Sequence, residues 1–380
     1  MTRHPRARAA RGRSLVGERF EVEVGPIAHG GHCVARVTDE RRVVFVRHAL
    51  PGERVVVEIT EGTEGDRFWR GDAIEVLSGS ADRVAAPCRF AGPGLCGGCD
   101  FQHVTLDRQR GLKADVVREQ LSRLARLDVD VVVEPVPGDE AGLRWRTRQR
   151  YVTLPDGGRG MRKHRSHDVV EIDECLIEAP TPVVEEGAHR PSRNHSVRGR
   201  EFAVAEDGFW QVHPGAPGVL VDTVLDHLAP RPGESALDLY AGVGLFARFL
   251  LDAVGPGGRV VAVEADRRAA TNAAANCPDA EVRAGPVERV LATAYDEPFD
   301  LVVLDPPRTG AKRKVVNQVA ARRPRAVAYV ACDPAALARD VAFFAEHGYG
   351  LAALRAFDLF PMTHHVECVV LLTKTGRDLR

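Results

Sequence analysis

A cysteine in Tyr329-Val-Ala-Cys332-Asp-Pro334 and a carboxylate in His364-His-Val-Glu367 are the residues of this chain best suited to act together. A thiolate can add covalently to an electrophilic carbon, and a carboxylate can take a proton from the adduct. Cys332 closes an apolar run that reads as a strand. Asp333 and Pro334 then read as the cap and first turn of a helix. A helix N-terminus at that point is expected to favour the thiolate. Glu367 is expected in the connection between the last two strands. Covalent catalysis by this pair requires one α/β sheet that holds both groups.

That sheet is readable in residues 205–380, where apolar strand runs alternate with helical patterns. Strands are expected at 236–240, 260–263, 281–283, 301–305 and 326–331, with helices that include 267–276 and 335–346. Two last strands, 351–357 and 366–373, follow one another without a helix. The pattern predicts an α/β fold, a Rossmann-like doubly wound parallel sheet ending in an antiparallel hairpin. Ligands of such sheets bind at the C-terminal ends of the strands.

The strand ends carry the residue types of a nucleoside site. Asp238-Leu-Tyr240-Ala-Gly242-Val-Gly244 turns from the first strand into a helix, and its glycines let the backbone approach a ligand. Glu264 ends the second strand, where an acid can take two ribose hydroxyls. Leu245-Phe246-Ala247 follows the turn, so the third glycine of the dinucleotide spacing is absent. Asp305-Pro-Pro-Arg308 at the end of the fourth strand gives a rigid acidic turn. Together these features favour S-adenosylmethionine over a nicotinamide. A helix cap or a surface acid is the plainer reading of Asp238 or Glu264 taken singly.

The front of the chain differs. Residues 16–78 hold short alternating strands with turns at Gly30-Gly31 and Pro51-Gly52, as in a small OB-type β-barrel. Residues 79–204 are mixed, with one helix near 106–126, strand-like pieces near 131–135, 148–154 and 168–173, and an aperiodic connector from 179 to 200. Eight cysteines in 380 residues are too few for a secreted disulfide scaffold. Cys88, Cys96, Cys99 and Cys175 look like one metal set. Cys33, Cys277 and Cys368 read as small buried residues. The 52 basic and 53 acidic side chains nearly cancel, but the basic ones cluster. Arg3, Arg6, Arg8, Arg11 and Arg13 form an N-terminal basic arm (residues 1–15), read as disordered, and not a secretory signal. No apolar run is long enough to span a bilayer. A cytoplasmic protein is expected.

Taken together, the chain resembles the RNA uracil-5 methyltransferase family. The resemblance rests on Phe209-Trp-Gln211-Val-His-Pro214, the 238–244 turn, Glu264, Asp305-Pro-Pro-Arg308, Cys332-Asp-Pro334 and Phe360-Pro-Met-Thr-His-His-Val-Glu367. It implies 5-methyluridine formation from S-adenosylmethionine, with Cys332 adding to uracil C6 and Glu367 removing the C5 proton. It implies cofactor contacts at Gln211, Tyr240, Glu264 and Asp305, a TRAM-type barrel at the front, and a [4Fe-4S] cluster on Cys88, Cys96, Cys99 and Cys175. The gap from Cys88 to Cys96 is longer than usual for the family, and tetrahedral zinc competes for four sulfurs. The family suggests a monomer and tilts the RNA towards ribosomal rather than transfer RNA.

Arg144-Trp-Arg-Thr-Arg-Gln-Arg150-Tyr interleaves charge and rings, as a surface that neutralises phosphates and stacks on unpaired bases does. A solvated basic face is the simpler alternative. From Cys175 to Gln211 there are only 36 positions, so the central domain looks trimmed relative to longer members of the family. Two other functions stay open: a different RNA base methyltransferase on the same sheet, which does not need Cys332, and a non-catalytic RNA-binding factor.

Overall fold

A computed structural model describes residues 12–37, 42–139, 141–180 and 192–375. Most of the basic arm, with Arg3, Arg6, Arg8 and Arg11, lies outside these residues. Arg13 lies within them and pairs with Glu18 at 2.7 Å and Glu64 at 3.1 Å. The chain divides into two compact units. One is Met1–Leu112, Gln149–Ile177 and Pro361–His364; the other is Lys113–Arg148, Glu178–Phe360 and His365–Arg380.

The first unit contains a closed five-stranded barrel: β1 (Arg19–Ala28), β2 (His32–Val37), β3 (Arg42–Arg47), β4 (Arg54–Glu61) and β5 (Phe68–Ser78), in the order β1-β2-β3-β5-β4. Alternation builds it. Val22, Val24, Val44, Val46, Val55, Val57 and Ile59 are buried, alternating on β1 with exposed Glu21 and Glu23. β2 gives a weak sequence signal because its buried face holds only Cys33 and Ala35. The chain then forms helix α1 (Leu106–Gln120), which closes in a π turn over Leu121–Ala125. A two-residue strand, β6 (Val133–Glu134), belongs to the large sheet below. β7 (Val152–Thr153), β8 (Arg159–Arg162) and β9 (Val169–Glu171) make a small antiparallel sheet. The strand expected over 148–154 thus shrinks to two residues, and Arg148 and Arg150 share no strand face.

The second unit begins, apart from β6, with a hairpin of β10 (Ser192–Val197) and β11 (Arg200–Ala205). Its turn places Arg198 and Gly199 at φ 49 and 74, the left-handed pair of a tight hairpin. The sequence reads here as a connector because Ser-Arg-Asn-His-Ser carries no apolar alternation. The rest alternates: α2 (Ala216–Leu228), β12 (Ser235–Leu239), α3 (Leu245–Val254), β13 (Arg259–Glu264), α4 (Arg267–Asn276), β14 (Glu281–Ala284), α5 (Val287–Thr293), β15 (Leu301–Leu304), α6 (Lys312–Ala321), β16 (Ala326–Ala331), α7 (Pro334–Ala345), β17 (Tyr349–Phe357) and β18 (Glu367–Lys374).

The sheet order is β14-β13-β12-β15-β16-β18-β17-β6. β18 runs antiparallel to both of its neighbours, which gives the expected terminal hairpin. β15 and β16 are buried along their whole length, as a parallel sheet covered on both faces requires. Two apolar clusters form the core, one containing Leu237, Val302 and Tyr329 and the other Ala236, Val303 and Val330. Each fully buried valine or leucine there contributes about 1.5–3 kcal/mol through burial. Among the described residues no helix is long and apolar enough to cross a membrane.

Candidate active site

Strand register brings the thiol and the carboxylate together. Ala331 of β16 pairs with Cys368 of β18 in antiparallel register. Cys332 and Glu367 each stand one residue beyond that pair, and the Glu367 charge acts on the Cys332 thiol. Asp333 caps α7 by accepting a hydrogen bond from Ala336 N at 2.8 Å, so the chain turns sharply after Cys332. Glu367 is the first residue of β18 and pairs with Phe357, rather than lying in the preceding connection. Its side chain is buried.

The electrostatics are acidic. Burial, reinforced by Asp305, holds the Glu367 carboxyl well above its ordinary range, and Arg308 opposes the shift. Cys332 is only partly exposed, and burial pushes its thiol up to about 12, with the Glu367 charge next in size and Arg308 again opposing. The expected thiolate at the helix mouth is therefore not the resting form. The dipole of α7 acts on Cys332, but desolvation and the acids around it outweigh that influence. Arg308, to which the sequence assigned no role, is a cation near both groups. Its guanidinium lies 3.3 Å from Nε2 of His365 and supplies positive charge to both reactive groups.

Three carboxylates gather at the ends of β12, β13 and β15. Glu264 accepts from Gly242 N at 2.8 Å and from Asp266 N at 2.7 Å. Two of its roughly four acceptor positions are used. Burial and the Glu264 charge push Asp305 up to about 7. Asp238 is fully buried. One of its oxygens accepts from Ala247 N at 2.8 Å and the other has no partner. Burial, with Asp305 and Glu264 adding, pushes Asp238 up to about 7. It is neither a surface acid nor a simple cap. The signal for it was an acid inside the apolar run Ala236-Leu-Asp-Leu239.

The glycines divide their work. A side chain at Gly242 meets open space, whereas one at Gly244 would come within 2.7 Å of the Cys277 sulfur. Gly242 thus leaves room beside the carboxylates, and Gly244 lets α3 pack closely. Tyr240 takes a left-handed φ of 66 and is half-buried; burial raises its phenol. Gln211 lies in the irregular segment between β11 and α2 and is half-buried. Its neighbour Trp210 stacks on His195 at 4.7 Å.

In the first unit, Cys88, Cys96, Cys99 and Cys175 all line one small cavity, with Met161, Gln102 and Gln149. Gly98 N donates to the Cys96 sulfur at 3.4 Å, Gln102 to Cys99 at 3.4 Å and Gln149 to Cys175 at 3.5 Å. Burial pushes the Cys99 thiol up to about 12, and Cys96 and Cys175 add to that. Among the described residues, no three His, Cys, Asp or Glu side chains stand close enough to hold a single ion.

The basic segment is more structural than expected. Trp145 is buried and stacks on His213 at 5.9 Å, so its ring is not offered to a base. Arg148 donates to the carbonyls of Gly208 at 2.6 Å and Asp207 at 3.0 Å. Arg159 lies over Tyr151 at 4.7 Å.

Comparison with known proteins agrees with this architecture. The TRAM domain matches residues 13–74, tRNA (Uracil-5-)-methyltransferase residues 287–375, and the methyltransferase small domain residues 220–326. An uncharacterized RNA methyltransferase of Streptomyces avermitilis is 45% identical, over 96% of this chain and 100% of its own length. The 23S rRNA (uracil(1939)-C(5))-methyltransferase RlmD of Alkalilimnicola ehrlichii is 31% identical, over 97% and 99% respectively. The crystal structure of Pyrococcus abyssi tRNA (uracil-54, C5)-methyltransferase with S-adenosyl-L-homocysteine shares the fold, with a TM-score of 0.68 at 20% identity, over 93% of this chain and 99% of that one. The chain belongs to the RNA uracil-5 methyltransferase family and carries a TRAM domain at its front.

Proposed function

We propose that this protein methylates C5 of a uridine in RNA, by ribosomal preference, through a covalent bond from Cys332 to uracil C6. The observation that carries the reading is the β16–β18 register, in which Ala331 pairs with Cys368 so that Cys332 and the buried Glu367 each stand one residue beyond that pair.

S-adenosylmethionine supplies an electrophilic methyl group and a positive charge when bound. The residues present suit it. The Glu264 charge raises the proton affinity of Asp238 and Asp305, Asp305 adds to the effect on Asp238, and a cationic ligand relieves that repulsion. Glu264 keeps acceptor capacity for ribose hydroxyls, Gly242 leaves space, and Gln211 and Tyr240 are the remaining holding residues.

Cys332 acts as nucleophile. Its Sγ–H proton passes to a neighbouring base, sulfur bonds to C6, and the C5=C6 electron pair moves towards O4. C5 would then be nucleophilic and bond to the methyl carbon of S-adenosylmethionine while that carbon's bond to sulfur breaks, so that S-adenosylhomocysteine leaves and O4 returns to a carbonyl. Glu367 takes the C5 proton, the C5–H pair restores C5=C6, and the C6–S bond breaks with the thiolate leaving. A buried carboxyl of raised pKa is a stronger base than an ordinary one once it is ionised. Reaching C5 and C6 requires the base out of its stack.

In the cysteine cavity we place a [4Fe-4S] cluster on Cys88, Cys96, Cys99 and Cys175. Four thiols around one small cavity are the donor set of such a group, and a cationic core offsets the cost of ionising thiols buried together. The TRAM barrel and the basic segment are read as RNA-contacting surfaces.

Replacing Cys332 with alanine tests the reading. Methyl transfer falls to background while S-adenosylmethionine binding persists. Sustained turnover by C332A rules out the covalent route and favours a methyltransferase that acts on another base.

A further inference from the structure

The segment just before the proposed base is clasped by the cysteine loop. Met362 O accepts from Asp100 N at 2.9 Å and Phe101 N at 3.0 Å, and Met362 N donates to Gln109 Oε1 at 2.9 Å. Gln109 is completely buried, and its amide donates to the carbonyls of Phe101 and Val104 and to the Met362 sulfur. Asp100 reaches one residue further. Its Oδ2 accepts from His364 N at 3.1 Å and pairs with His364 Nδ1 at 2.6 Å, while Arg47 of the barrel strand β3 donates to Oδ1 at 3.3 Å. On another side, the β1–β2 turn presses on the same residue: a side chain at Gly31 would come within 2.6 Å of the His364 Cβ. Met362 itself takes a left-handed φ of 66, a conformation an L-residue keeps only when neighbours enforce it.

Residues 361–364 therefore group with the barrel and cysteine loop, and Glu367 is three residues further along the chain. Only His365 and Val366 separate His364 from Glu367, the first residue of its strand. We propose that Asp100, next to Cys99, is a positioning residue for the reaction: its clasp on His364 sets Glu367 for removal of the C5 proton. This inference rests on the covalent reading above.

The proposal assigns Asp100 to one step, and that step has its own signature. Loss of Glu367 placement leaves addition and methyl transfer intact but stalls elimination, so covalent enzyme–RNA accumulates on ordinary substrate. A general loss of folding or RNA binding lowers adduct instead. The experiment uses the full-length protein with Asp100→Ala and Asp100→Asn, substrate RNA with uridine, and the same RNA with 5-fluorouridine, whose C5 fluorine blocks elimination in any variant. D100A is expected to form adduct on fluorinated RNA as the parent does. On ordinary RNA it should hold denaturation-resistant adduct at about ten times the parent level or more, with kcat down about 10–100-fold and KM for the cofactor unchanged, in line with loss of a charge-assisted hydrogen bond. D100N, which keeps one acceptor for His364 N, should fall between. If D100A does not fold, D100N carries the test. Parent-level turnover without accumulated adduct, or loss of adduct on both RNAs, overturns the role of Asp100. Absence of adduct from the parent on fluorinated RNA overturns the covalent reading itself, and the inference with it.

Discussion

At the scale of single residues, reactivity depends on proton affinity more than on proximity. Cys332 was legible from its place between an apolar run and an Asp-Pro cap, and Glu367 from the motif around it. What the sequence could not convey was the sign of the local field. A helix mouth predicts a thiolate, yet burial and the neighbouring acids push Cys332 up to about 12. Those acids come from β15 and β18, far apart along the chain, so their joint effect appears only once the strands pair. Arg308 is the counterweight. Replacing it with alanine removes the positive charge that lowers both Cys332 and Glu367. Glu367 works as a base only when ionised, so a further rise in its pKa demands higher pH for the same rate. The ascending limb of the pH–turnover profile in R308A should move upward, by roughly half a pH unit given how exposed the guanidinium is. Arg308→Lys should restore most of the original profile. A limb that stays in place, or moves to lower pH, contradicts the role given to Arg308.

At the scale of elements, the readable parts were those with strong periodicity. The alternating β/α segments after residue 205 appear where expected, because fully buried parallel strands are continuous apolar runs. Polar strands escaped. β8 is Arg-Gly-Met-Arg and β10 is polar almost throughout, and each is fixed by a partner strand rather than by its own pattern, whereas the piece expected near 131–135 is present as the two-residue β6. Trp145 shows the converse. Its setting among arginines suggested a stacking platform, but a ring this large is worth more buried, and it packs on His213 and Phe360. The four cysteines singled out by their spacing line one cavity, while among the described residues no three His, Cys, Asp or Glu side chains stand close enough to hold a single ion. Protein purified without oxygen should show broad visible absorbance, and Cys99→Ala should abolish it. A colourless protein carrying zinc in equal amount contradicts the cluster.

At the scale of the molecule, the chain is two units with interleaved segments. The cysteine loop and the 361–364 segment share one unit, and the strand edge with its carboxylates forms the other. A domain reading along the sequence assigns contiguous blocks, and that is where it loses information: four residues near the C-terminal end group with a barrel built from the first eighty. Family membership explains the combination of TRAM domain and methyltransferase sheet, while the alignment of 434 positions with the Streptomyces avermitilis relative exceeds the 380 residues here. The alignment with that relative therefore carries gaps in this chain. The central claim, that a sulfur bonds to the pyrimidine, is tested most directly by peptide mass mapping of the complex formed with 5-fluorouridine RNA. The account predicts one modified peptide, carrying fluorinated, methylated nucleotide on Cys332. Adduct on a different residue, or methylated RNA with no adduct at all, contradicts it.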